Sequence, residues 1–247
     1  MEWRDTGMIL TVRPHGESAA ILEVLTESHG RHAGVVQGGT SRKKAPTLQP
    51  GNQVSLEWRA RLEEHIGSYR VELLQSRTTI LSDRRALAAM GSVTALLAFA
   101  MPERMDLPGV YTMTMELADR LVTGNDAWIS HYAQWELQVL EELGYGLDLS
   151  QCAATGTVND LVWVSPKSGR AVSADAGAPF ADRLLPLPAF LVEASQANAA
   201  DVLAALTMTG YFWEHWLAPA LGDRPLPGAR SRLVAALNKL CKEENDD

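Results

Sequence analysis

Between Ser28 and Leu56 the chain carries no Asp or Glu. Arg31, His32, Arg42, Lys43 and Lys44 all stand in that window, the last three close behind the glycine pair Gly38-Gly39. The formal net charge is -8, so the bulk of the molecule repels polyanions, and a locally acid-free basic stretch is a candidate for the face that attracts them. The chemistry is phosphate binding. Lysine and arginine neutralise phosphates and release their counterions, while backbone N–H groups at Gly38 and Gly39 have no side chain to keep a phosphate away. Single-strand binders add aromatic faces for base stacking, here Trp58 or Tyr69. Trp58 alternates with Val54 and Leu56, which assigns it to a core. The residues alone leave two readings: a nucleic-acid contact, or a solvated loop.

A second acid-free stretch runs from Arg224 to Lys242 and holds Arg224, Arg230, Arg232, Lys239 and Lys242. Leu233, Leu237 and Leu240 share one helix face there, so the stretch reads as a core helix with a polar back, or as a basic rim for DNA or an acidic peptide tail. Other chemistries find little support. The chain has no G-x-x-x-x-G-K-[ST] phosphate loop, no G-x-G-x-x-G, no H-E-x-x-H and no G-x-S-x-G elbow. His15, His29, His32 and His65 lack metal-ligand spacing and read as surface or turn residues. Glu63-Glu64 reads as a solvated hairpin tip rather than an acid/base pair. The expectation is a protein that is not an enzyme and carries no cofactor or metal.

These residues need elements to hold them. The 247-residue chain is 46% apolar and 21% charged, ordinary for a globular protein. Residues 1–80 hold ten Lys/Arg against nine Asp/Glu, the rest twelve against twenty-one, an asymmetry that points to two parts with different partners. Two cysteines, Cys152 and Cys241, make no disulfide framework. The start, Met1-Glu2-Trp3-Arg4-Asp5, lacks a signal-peptide layout, and the uncharged run from Ala86 to Met101 is too short to span a bilayer, so a cytoplasmic protein is expected.

Five strands are expected before residue 77: Met8–Arg13, Ala19–Thr26, Arg31–Gln37, Gln53–Ala60 and Tyr69–Gln75. In the fourth, Val54, Leu56 and Trp58 alternate with Ser55, Glu57 and Arg59, the period of a half-buried strand. Five short strands with Gly-rich turns fit an OB-fold barrel. Helices are expected over Arg84–Ala100 behind a Ser82-Asp83 cap, from Pro108 to Gly124, from Asn125-Asp126 to Leu143, over Ala199–Leu217 and over Ser231–Lys242. Residues 147–188 are rich in Gly and Pro. The expected class is α+β: residues 1–80 an OB-fold, 81–247 a helical domain, 147–188 a loop-rich insertion.

Several segments in order then resemble the bacterial RecO family: Asp5-Thr6-Gly7-Met8-Ile9-Leu10, Gly16-Glu17-Ser18, Leu25 to Arg31, Gly38-Gly39 with following basics, Leu48-Gln49-Pro50-Gly51, Leu143 to Leu149 before a cysteine, and Val164 to Val172. The resemblance implies a DNA repair and recombination mediator, with an OB-fold, a helical domain and a zinc-ribbon-like insertion. It implies binding of single- and double-stranded DNA, annealing of strands coated by single-strand-binding protein, and RecA loading with RecR, with RecF as a further partner, in the bacterial nucleoid. It also implies DNA contacts at Arg31, Arg42, Lys43 and Lys44, and a second DNA or partner-tail site at Arg224, Arg230 and Arg232 beside an apolar groove. Zinc-binding members carry two C-x-x-C pairs in the insertion. Here only Cys152 stands, with Thr155 at the partner position, so the insertion is a degenerate ribbon expected to rest on Leu161, Val162, Trp163 and Val164. The rival function is a protein-interaction scaffold that does not bind DNA directly.

Overall fold

The structure, a computed structural model, describes residues 1–193 and 195–246, without the side chains of Leu240 and residues 242–246. The side chains of Leu240 and Lys242, on which the expectations for the last helix partly rest, therefore lie outside what is described. Contacts divide the chain into two compact units, one of Met1–Asn125 with Pro227–Arg230, the other of Asp126–Leu226 with Ser231–Asp247.

The first unit opens with five strands, β1 (Glu2–His15), β2 (Ala19–Thr26), β3 (Arg31–Val36), β4 (Gln53–Arg59) and β5 (Ser68–Gln75), in the sheet order β1-β2-β3-β5-β4. β1 pairs antiparallel with both β2 and β4. Between β3 and β5 the ring is joined by one parallel pair, Val35 with Ser68, so the expected barrel is held there by a contact rather than a ladder. The inward residues form one core: Ile9, Leu22, Val24, Val36, Val54, Leu56, Trp58 and Tyr69. Gly34 is required there, because a Cβ would lie 2.4 Å from the Tyr69 ring. β1 begins six residues before the expected Met8. Its polar start, Glu2, Arg4 and Thr6, lacks an apolar signal because it alternates outward while pairing with Arg59, Glu57 and Ser55 of β4.

After the strands the unit turns helical. Asp83 caps α1 (Arg84–Ala100), accepting from the N–H groups of Arg85 and Ala86 at 2.8 and 3.2 Å. Pro108 opens α2 (Pro108–Val122), its missing N–H harmless in the first turn.

The second unit contains α3 (Trp128–Leu140), α5 (Ala199–Phe212), the one-turn α6 (Ala218–Ala220) and most of α7 (Gly228–Asp246). An Asn198/Asp201 capping box starts α5. Buried Glu136 on α3 accepts from Tyr132 and from Thr209 on α5 at 2.8 and 2.5 Å. The stretch over residues 147–188 holds more order than its Gly/Pro content suggests. β6 (Leu161–Val164) lies between β7 (Ala171–Ser173) and β8 (Leu185–Pro186), with the single turn α4 (Ala174–Gly177) behind β7. Val162 is 39% exposed although Val164, two residues on, is buried; the register of β6 with β7 is irregular between Leu161 and Trp163, and Val162 is not part of the packing expected of it. The arrangement is α+β, a five-stranded N-terminal sheet followed by a helical region. No helix among the described residues is long and apolar enough to cross a membrane.

Candidate nucleic-acid interface

The basic loop connects β3 to β4 and is built from turns. Gly38 sits at φ +64°, a left-handed conformation that glycine adopts without steric cost. Thr40 donates through both its N–H and its hydroxyl to the Ser18 carbonyl, at 3.1 and 3.0 Å, tying the loop to the β1–β2 turn. The N–H groups of Lys44 and Ala45 donate to the Ser41 carbonyl and that of Leu48 to the Lys44 carbonyl, making a helical turn that seats Leu48 in the core. The N–H of Gly39 donates to Val36, so the open backbone donor expected at that glycine is already used. Arg42 and Lys43 are exposed. Lys44 is half-buried, and its Nζ donates to the Gln37 carbonyl at 2.7 Å.

That hydrogen bond holds Lys44 at the wall of a recess of about 510 Å³ against β4 and β5. Glu57, Arg59, Tyr69, Arg70 and Glu72 also line it. Registry explains the grouping: Arg4 of β1 pairs with Glu57 of β4, and Glu57 with Arg70 of β5, so three charged residues form a row across three strands. Arg70 and Arg4 approach the Glu57 carboxylate at 3.5 and 4.0 Å, and Arg59 binds it at 2.5 Å while reaching Glu2 at 3.1 Å. Covering the carboxylate favours its neutral form, but the positive charges of Arg59, Arg70 and Arg4 outweigh that and hold it below the usual range. Bonds to Glu2 and Glu57 raise the Arg59 guanidinium further. With Lys44 the face presents four cations against Glu2, Glu57 and Glu72, and the Arg4 and Arg70 side chains are 78% and 74% exposed. The sequence reading missed Arg4, Arg59 and Arg70 as site residues. The β4 alternation already turns Arg59 outward, but the partners on β1 and β5 come from long-range registry.

Arg31 is placed differently. Its Nε donates to the Met101 carbonyl at 2.8 Å, and its guanidinium meets Glu23 at 2.8 Å and Glu103 at 3.7 Å, with the side chain 15% exposed. These bonds brace the start of β3. The candidate stacking residues are also interior. The Trp58 indole donates to the Ile66 carbonyl, and the Tyr69 hydroxyl meets His32 Nδ1 at 2.9 Å. His32, expected at the surface or in a turn, is buried between Trp3, Trp58 and Tyr69, because β3 alternation turns it inward. Burial, Arg104 and His29 push its pKa down to about 4, against a smaller opposing hydrogen bond at Ala33. No Phe, Trp or Tyr side chain of the first unit is exposed among the described residues, which leaves charge as the main chemistry of this face.

Arg224 and Arg232 are exposed in the second unit, whereas Arg230 is half-buried and falls in the short piece counted with the first. A cavity of about 340 Å³ in the second unit is lined by Ile129, Ser130, Val202 and Leu237, and by none of these arginines. In the insertion, Cys152 is buried and its sulfur accepts from the Ser173 N–H and hydroxyl at 3.3 and 3.4 Å. Burial opposes the thiolate, but the donors of Ser173, Thr155 and Ala154 prevail and bring the pKa down to about 6. Among the described residues no group of three His, Cys, Asp or Glu stands together, so the side chains present do not fit a zinc site.

Two family models match the chain, Recombination protein O N terminal over residues 1–77 and Recombination protein O C terminal over residues 81–225. Among curated relatives, the DNA repair protein RecO of Ruegeria sp. (strain TM1040) is 56% identical over 96% of this chain and 98% of its own length. The RecO proteins of Roseobacter denitrificans and Dinoroseobacter shibae are 53% and 50% identical, each over 97% of this chain and 99% of its own length.

Proposed function

Because this chain belongs to the RecO family, which places it in DNA repair and recombination, we propose that it is a non-enzymatic mediator that holds DNA strands through the basic face of its N-terminal sheet. The observation that carries this reading is the meeting of loop and sheet: Lys44 of the acid-free loop lines the same recess as Arg59 and Arg70. Arg42 and Lys43 extend the cationic surface along the loop, while Arg31 acts as a brace behind it. Phosphates of two strands held on this face repel each other less, so complementary bases pair.

The lack of exposed Phe, Trp and Tyr in the first unit supports backbone binding with little base preference. A second contact for DNA or for the acidic tail of single-strand-binding protein is supplied by Arg224, Arg230 and Arg232. RecR, single-strand-binding protein and RecF are the partners, the reaction they share is RecA loading, and the place is the bacterial nucleoid. The domain division follows residues 1–80 as an OB-fold and 81–247 as a helical part.

Strand annealing and oligonucleotide binding across a salt series, comparing wild type with Arg42→Ala/Lys43→Ala/Lys44→Ala, test the reading. Three lost phosphate contacts flatten the log–log salt slope by about 2 on single strands. Unchanged affinity and slope would remove the loop from the site. No oligonucleotide binding by the wild type near physiological salt would favour a protein scaffold.

A further inference from the structure

Three rings form a column where β1 begins. Trp58 of the core lies against Trp3, with centroids 5.5 Å apart and planes 19° from parallel, and Trp3 lies against His29 at 4.1 Å and 11°. Trp58 is buried, Trp3 is half-buried, and the His29 side chain is 34% exposed, so the column runs from the core to the solvent. The apolar cluster of the sheet ends at Trp3, which makes His29 a ring added outside it. Trp3 covers one face of the imidazole and Asp5 holds one edge, leaving the other face and the Nε2 edge as the open part.

This last ring is fixed in place. Its Nδ1 meets the Asp5 carboxylate at 2.6 Å, and that side chain, 5% exposed, also accepts from the Thr6 and Ser28 N–H groups at 2.8 and 3.0 Å. A carboxylate that only accepts sets Nδ1 as the protonated nitrogen and fixes the ring's orientation. The turn that carries the ring is braced as well. The Glu27 N–H donates to the Thr6 carbonyl, the His29 N–H to the Thr26 hydroxyl, and Thr26 donates to the Gly30 carbonyl through both its N–H and its hydroxyl. Gly30, at φ +62°, passes so close to Met105 that a Cβ would lie 2.0 Å from its carbonyl oxygen. The ordering that a ligand would otherwise have to impose on this side chain is already supplied by the fold.

A flat, rigid ring with one face in solvent is a surface on which a nucleobase stacks. Exposed Arg104 lies near enough that its charge, with that of His29, bears on His32, and it offers a cation to the adjoining phosphate. Arg4, between Trp3 and Asp5 in the chain, belongs to the cation row with Glu57 and Arg70, so the column and the row share the start of β1. We propose that His29 is a stacking platform for one unpaired base of single-stranded nucleic acid. The proposal rests on DNA binding by the first unit and adds to it a means of telling single strand from duplex. Cations hold either form by its phosphates, whereas bases stacked inside a duplex have no face left for the imidazole. Any base fits, because every base has a π-face.

Anisotropy titration of the full chain with a labelled oligothymidine, with an abasic strand of the same length and with a long duplex tests this. His29→Ala should weaken oligothymidine binding at least about fivefold. It should leave abasic and duplex binding unchanged, which also shows that the variant is folded. Its log–log salt slope on oligothymidine should equal that of the wild type, because stacking releases no counterions. His29→Phe, which restores a ring without the Asp5 bond, should recover most of the affinity. His65→Ala, which alters an exposed histidine outside the column whose carbonyl Arg104 holds, should match the wild type. Unchanged oligothymidine binding by His29→Ala, an equal loss on the abasic strand, or no recovery in His29→Phe would overturn the proposal. No oligonucleotide binding by the wild type would overturn it together with the DNA reading it rests on. An unaltered salt slope in the Arg42/Lys43/Lys44 variant beside a base-dependent loss in His29→Ala would remove the loop from the site and support the platform.

Discussion

Replacing Glu57 by glutamine should tighten DNA binding, the opposite of what most site variants do. Among the described residues, the ion pairs of Arg4 and Arg70 go to Glu57 alone, at 4.0 and 3.5 Å, whereas Arg59 keeps Glu2 at 3.1 Å as a second partner. Glu57→Gln therefore frees two guanidiniums on the sheet face and leaves the third partly held. If each freed group takes a phosphate, the log–log salt slope on single strands steepens by about 1.4, at about 0.7 per contact. The advantage over wild type then shrinks about sevenfold as salt rises fourfold, from roughly 50 to 200 mM. Anisotropy titration of a labelled oligothymidine across that range reads both numbers. Glu103→Gln is the control, since Glu103 pairs with Arg31 away from the recess. An unchanged slope in Glu57→Gln, or the same steepening in the control, would sink the assignment of Arg4, Arg59 and Arg70 to phosphate.

Three further outcomes are expected. Arg31→Ala should lower stability by about 2 kcal/mol, because Glu23 and the Met101 carbonyl lose a partly buried donor, while the salt slope of the remaining folded protein holds; a flattened slope would return Arg31 to the DNA site. Neutral His32, its folded pKa about 4 against 6.5 unfolded, contributes stability that is complete above the unfolded value and is lost as pH falls toward the folded one. Urea unfolding should therefore show a loss of about 2 kcal/mol between pH 7 and pH 5 beyond that of His32→Gln; identical pH dependence would refute it. Thiolate absorbance should titrate with a midpoint of about 6 and vanish in Cys152→Ser. A midpoint in the ordinary thiol range would mean that burial, not the Ser173 donors, governs this sulfur.

The elements were legible because their signals are local. The alternation of Val54, Leu56 and Trp58 marked β4, Asp83 marked the start of α1, and Pro108 that of α2. The misses share a cause as well. The outward polar residues at the start of β1 carry no apolar signal, and the small strands β6 to β8 are too short to outweigh the glycines and prolines around them. Burial of His32 needed the inward phase of β3, which residues 31–36 show only weakly, since Gly34 shares that face.

By itself the sequence determined a five-strand, then helical chain of this family with one acid-free basic loop, because charge composition and hydrophobic period are properties of neighbouring residues. Only the tertiary structure decided which cations serve the surface. The β1–β4–β5 registry assembled Arg4, Glu57 and Arg70 into one row, and the contacts of β3 committed Arg31 to Glu23 and Met101. The same packing set Lys44 in a charged recess and Ala45 in an apolar groove one residue later. Whether a charge is available depends on the partners the fold brings to it, and those partners lie far away along the chain.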